Sequence, residues 1–159
     1  MNGRDGFEAE CLRKYNAVVF DACQHVFVAL PLACVLRRRV LVVHGFVWPI
    51  ERHSLAQVEA LDRFHAQPPE GSLMELILWS DPSPTDAGVT FNPRGAGLCL
   101  GADVTERFLA ATGFELIVRS HECVREGFEH AHGQRVVTVF SGTVVGGSRS
   151  MMRTRQSHR

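Results

Sequence analysis

The chain has no excess of charge, and no disulfide framework, leader or membrane span is expected of it. Lys plus Arg and Asp plus Glu both total 17, so the formal net charge is zero. Nothing here calls for nucleic acid or an anionic bilayer as partner. The five cysteines are odd in number and contain no CxxC pair, which argues against a secreted scaffold and a thiolate zinc site. Reduced, mostly buried thiols of a cytosolic protein are the expectation. The N-terminus, MNGRDGFEAEC, is too polar to begin a signal peptide. The apolar stretch Ala17–Leu36 is interrupted by Asp21, Gln24, His25 and Pro31. A span needs roughly 20 consecutive apolar residues, so a core helix is expected there instead. No internal repeat is visible. Localisation is expected to be cytoplasmic, or else nuclear.

What is present suits one globular domain. The 159 residues are 45% hydrophobic and 21% charged. Phe7, Cys11, Tyr15, Val19, Cys23 and Phe27 recur every four residues and predict a helix over Phe7–Leu30, ended by Pro31. Arg38–Val43 reads as a strand. Ser54–Phe64 reads as a helix opened by a Ser54/Gln57 capping box. Leu73–Trp79 is apolar and fits helix or strand. Ser80–Gly97 reads as loop. Asp103–Thr112 is expected as a helix capped by Asp103 and stopped by Gly113. Glu115–Arg119 follows as a strand, and Gly127–His130 with Arg135–Phe140 as a hairpin. Gly146–Arg159 holds four Arg and no acid and reads as a disordered tail. The alternation of elements argues an α/β or mixed α+β fold.

Two strands end in a histidine. Val40–Pro49 reads VLVVHGFVWP and Leu116–His121 reads LIVRSH. Loops leaving rigid strands are where metal-binding and catalytic groups sit. His44 and His121 are therefore candidate ligands for Zn, Mn or Fe. Each could equally be a hydrogen-bonded histidine at a strand end. Arg94, between small residues in NPRGAG, could fork onto phosphate or carboxylate oxygens, or simply be solvated. No Gly-Lys-Ser/Thr follows it, so this is not a Walker loop. His130 and His132 read as turn polarity, Arg37–Arg39 as a solvated basic loop, and Arg119 with Glu122 as a structural ion pair.

Taken in order, the runs GFEAECLRKY, LPLA, VLVVHG, QPPEGSLM, LWSDP, NPRGAGLCLGADVTERFL, LIVRSHE and VVTVFS show a likeness over roughly residues 6–142. The chain resembles the catalytic domain of PPP-type serine/threonine protein phosphatases, most closely the type 5 branch. The resemblance implies a metallophosphatase β-sandwich flanked by helices and a dinuclear centre of manganese, iron or zinc. It implies phosphoproteins as substrates and regulatory proteins as partners. His44 matches the family's HGG segment and His121 its R-[AS]-H segment, and both would ligate the second metal. Arg94 matches the arginine that holds the substrate phosphate.

The departures are equally specific. The GDxHG, GDxVDRG and GNHE segments, which supply the remaining metal ligands and the general acid, are absent. Asp5, Asp21, Asp62, Asp81, Asp86 and Asp103 are assigned to caps, turns or helices. HGG has become His44-Gly45-Phe46, and Leu76 with Glu75 replaces an acidic residue before the tryptophan. After Ser141 the family's A-P-N-Y-C is replaced by Gly142–Gly146, with Val145 at the tyrosine position. Two imidazoles cannot hold a dinuclear centre without bridging carboxylates. The expectation is a fragment of a phosphatase domain, from a truncated gene model or a splice product, and inactive alone. The alternatives are a non-catalytic pseudophosphatase that binds substrates or regulators, and a simple two-histidine metal-binding domain.

Overall fold

The computed structural model describes residues 6–65 and 67–141. The Gly146–Arg159 tail and Val145 lie outside them. The chain opens with helices α1 (Phe7–Lys14) and α2 (Ala17–Ala29). The single helix expected over Phe7–Leu30 is thus two. Asn16 is extended and its side chain accepts from Val19 N–H at 3.1 Å, so a new helix starts there. Phe7 rests against Phe20 and Phe27 of α2, so the two helices fold back on each other, while Tyr15 of the expected stripe is exposed. The Ala17–Leu36 stretch is not a core helix, because no residue of α2 is fully buried.

Strands β1 (Ala33–Leu36) and β2 (Val40–Val43) form an antiparallel hairpin. α3 is short, Leu55–Glu59, and carries the expected capping box in full. It stops well before Phe64. Leu73–Trp79 is helix α4, opened by the Ser72 side chain on Glu75 N–H at 3.2 Å. The segment expected to be all loop contains β3 (Asp81–Pro82) and β4 (Val89–Phe91), which flank β5 (Leu98–Leu100) in a three-stranded sheet. α5 spans Ala102–Thr112; its N-cap is Gly101, not Asp103, and Gly113 ends it at φ 73°. Asp103 instead accepts from Gly88 N–H at 2.7 Å, tying the helix start to the β4 loop.

β6 (Leu116–Arg119) runs parallel to β2 and to β8 (Val136–Val139), and β7 (Phe128–Ala131) pairs with β8 as a hairpin. The large sheet therefore has the order β1-β2-β6-β8-β7. Its inward side chains Leu41, Val43, Ile117 and Val136 meet Ile77 of α4 and Val104 and Phe108 of α5 in one buried cluster. The mixed α+β architecture, with sheets and helices, is as the sequence suggested. The thiols are not: all five are free, but only Cys11 is buried, while Cys34 and Cys123 are exposed. Among the described residues no helix is long and apolar enough to cross a membrane.

Candidate metal and phosphate site

The parallel pairing of β2 with β6 builds the site. Its register sets Val40 against Leu116 and Val42 against Val118, so both strands end at one level. Ser120 N–H then donates to the His44 carbonyl at 3.1 Å. The two imidazoles emerge side by side, with ring centroids 5.2 Å apart. His121 holds φ 71°, a left-handed conformation costly for a side-chain residue, and Trp79 packs edge-on against its ring. Gly45 allows the close approach. A Cβ there would lie 2.6 Å from the Leu78 carbonyl carbon, and Gly45 N–H donates to Ile77 O at 3.0 Å. Phe46 turns inward, fully buried and edge-on to His132. The bulky change beside His44 is therefore absorbed by the core.

Asp81 is the hub. The sequence places it among caps, turns and helices; the structure instead buries it at the start of β3. α4 delivers it at its C-terminal end, buried, where Arg119 Nη2 donates to Oδ1 at 2.7 Å and Asn92 Nδ2 to Oδ2 at 2.9 Å. Arg94 Nε lies 3.1 Å from the same Oδ2. Arg119 is itself buried; it also donates to Gly45 O at 2.7 Å and pairs with Glu122, as the sequence suggested. Asn92 donates to Trp79 O at 3.0 Å and accepts from Arg94 N–H at 2.9 Å, which fixes the backbone of the Arg94 loop. Gly97 finishes the clamp: at φ 67°, a Cβ there would lie 2.5 Å from Trp79 carbonyl carbon.

Charge follows this geometry. Burial alone would raise the Asp81 carboxyl. The adjacent His121 imidazole, the hydrogen bond from Asn92 and the charge of Arg119 overcome it and hold the group well below the usual carboxylate range. His44 is pushed down, first by desolvation and then by the neighbouring His121 and Arg119 charges. A neutral His44 is the form that ligates a cation. His121 Nδ1 sits 3.2 Å from Asp81 Oδ1, but off the hydrogen-bonding direction, so this buried nitrogen has no hydrogen-bond partner.

That orphaned nitrogen and the neutral His44 fit one flank of a metal centre. A complete dinuclear centre does not fit. Asp81 is committed to two guanidiniums, and among the described residues no three His, Cys, Asp or Glu side chains converge on a common point. Arg94 has 30% of its side chain exposed while its Nε is held by Asp81. His130 lies elsewhere, on β7 against Phe128. His132 bridges Thr105 Oγ1 at 2.8 Å and Ser83 O at 2.9 Å, a structural tie rather than exposed turn polarity.

Paired histidines at parallel strand ends, with an arginine anchored beside them, are what the metallophosphoesterase resemblance leads one to expect. The chain belongs to the calcineurin-like phosphoesterase family, whose profile matches residues 5–125. It is 43% identical over 141 residues to serine/threonine-protein phosphatase 5 of Solanum lycopersicum, covering 89% of this chain and 25% of that protein. The Homo sapiens phosphatase 5 is 40% identical over 141 residues, covering 89% and 28%. A solved Saccharomyces cerevisiae serine/threonine phosphatase, described as similar to human phosphatase PP5, superposes with TM-score 0.78 at 34% identity. That match covers 85% of this chain and 42% of the yeast one. The chain thus spans about a quarter of the length of these curated relatives. The family implies a divalent metal centre.

Proposed function

We propose that residues 6–142 are the C-terminal half of a protein serine/threonine phosphatase catalytic domain, acting on phosphoserine and phosphothreonine in proteins. The supporting observation is that His121 and Arg94 both lie against Asp81, with His44 beside His121. In this reading His44 and His121 hold one side of a centre of manganese, iron or zinc. Asp81 grips Arg94 through Nε, leaving the terminal nitrogens for phosphate oxygens. Asn92 fixes the backbone of the same loop. Among the described residues the donors do not complete the centre, and in this reading the 159 residues alone bind a phosphorylated peptide without hydrolysing it.

The test is direct. Purified chain with manganese is incubated with a phosphothreonine peptide, and both binding and phosphate release are followed. Weak binding, lost on Arg94→Ala, without phosphate release is expected. Release abolished by His121→Ala would show that the chain is self-sufficient. Binding indifferent to Arg94→Ala would remove the phosphate role. A second reading, a non-catalytic pseudophosphatase, is favoured by the same imbalance: the anion-binding arm is intact where metal donors are few. It requires the chain to displace an intact phosphatase from a substrate or regulator, which a competition assay reads.

A further inference from the structure

The β1–β2 hairpin carries a surface that the phosphate site does not use. β1 pairs with β2 on one side only, so among the described residues its other edge is open to a further strand. Ala33 and Val35 share one face of that edge strand and line an apolar groove of about 370 Å³ with Leu41, Trp48 and Val58. Glu59 and Arg63 are its charged members. Val35 and Leu36 remain about half exposed (45% and 50%).

The edge runs directly into a strained basic turn. Arg39 N–H closes it on Leu36 O at 3.0 Å, and the two central residues, Arg37 and Arg38, hold φ of 50° and 59°. Tight hairpin turns with two left-handed residues favour Asn-Gly, because a Cβ is penalised there. The next residue, Arg39, is paired with Glu115. Arg37 and Arg38 have neither an ion pair nor a side-chain hydrogen bond within the described residues. The hairpin gains nothing internally from two arginines at its least tolerant positions. A solvated turn would serve as well with almost any smaller polar pair.

We propose that this edge receives an extended peptide of alternating aliphatic residues ending in acidic side chains. The peptide adds as a strand beside β1. One aliphatic side chain enters the groove, and the acids lie over Arg37 and Arg38. Main-chain bonds supply affinity, the groove selects the aliphatic position, and the arginine pair selects the charge. The complementarity is specific in sign, since a basic peptide would meet two unpaired guanidiniums.

The experiment is fluorescence anisotropy with the full 159-residue chain and labelled Val-Thr repeat peptides. One pair carries glutamates, at either the amino or the carboxyl end; a matched pair carries lysines. Saturable, salt-sensitive binding of a glutamate peptide is expected, with its lysine counterpart at least about tenfold weaker, since two exposed charge contacts reverse sign. The double substitution Arg37→Asn, Arg38→Gly suits the turn better than the native pair, so it removes the charge while keeping the hairpin. It should weaken the glutamate peptide by about the same factor, with thermal unfolding at or above that of the unaltered chain. Val35→Asp should abolish binding of every peptide. Equal binding of glutamate and lysine peptides overturns the proposal. So does undiminished binding to the Asn-Gly variant, or no saturable binding at all; the arginines would then serve only to guard an open edge.

Discussion

Asp81→Asn isolates the electrostatic hub without changing its shape. The carboxylate is buried and touches Arg119, Arg94, Asn92 and His121. Removing one partner of a buried ion pair costs about 3–5 kcal/mol, because the other charge is left in a poor solvent. Asparagine still offers Arg119 an oxygen, and Glu122 still meets its other nitrogen. The cost should therefore fall at or below the low end, about 2–3 kcal/mol, which lowers Tm by roughly 4–12 °C for a chain of this size. The pH profile gives a second signature. The folded Asp81 pKa lies below its unfolded value of about 3.9, so its stabilisation is fully present above that value and fades as pH falls through the folded one. The stability gap between the unaltered chain and D81N should be constant from about pH 7 to 5 and close in stronger acid. Urea unfolding followed by circular dichroism across that range measures it. A gap below about 0.5 kcal/mol at neutral pH, the size of an ordinary surface change, would refute the hub.

Three further outcomes are expected. Gly45→Ala sets a methyl against the Leu78 backbone and should cost about 1–3 kcal/mol, read as a lower urea midpoint. His132→Ala removes the bridge between Thr105 and Ser83; leaving two partners unsatisfied should cost about 1–3 kcal/mol in the same assay. Calorimetric titration with manganese should show no pair of tight sites, and any weak heat should vanish in His121→Ala; two tight sites would contradict the donor count.

Local chemistry made some of this fold legible and long-range pairing hid the rest. The capping box at Ser54 and the stop at Gly113 follow from adjacent residues, and both are present. The break at Asn16 was masked because the four-residue stripe runs through it unchanged; the cap competes with the periodicity and wins. Ser80–Gly97 carries so many turn residues that its two short strands have no local signal. They exist because β5 lies between them. His44 and His121 stood out as strand-end histidines, and the parallel register then placed them together. Asp81 did not stand out, since Asp-Pro after an apolar run also reads as a turn. The buried Arg119, an awkward charge in a strand otherwise reading LIV, was the available signal: such a guanidinium needs a carboxylate partner.

The survival of the hub beside too few metal donors has a physical reason. Arg119 lies on a central strand with its guanidinium out of water, so losing Asp81 would strand a charge whether or not any cation is bound. Asp81 in turn fixes Asn92 and Arg94, so the Arg94 loop is held by the same requirement. Arg119 does not depend on His44 or His121: burial pushes the first toward its neutral form, and the second has a buried nitrogen with no hydrogen bond. Stability alone would not preserve them. Their placement at matched strand ends, with His121 in a strained backbone, is the part of the geometry that folding does not explain. Replacing both by glutamine should therefore leave the unfolding midpoint nearly unchanged, within about 1 kcal/mol, while Asp81→Asn alone lowers it. A double variant that unfolds as readily as D81N would show that the histidines, too, are held there by the fold.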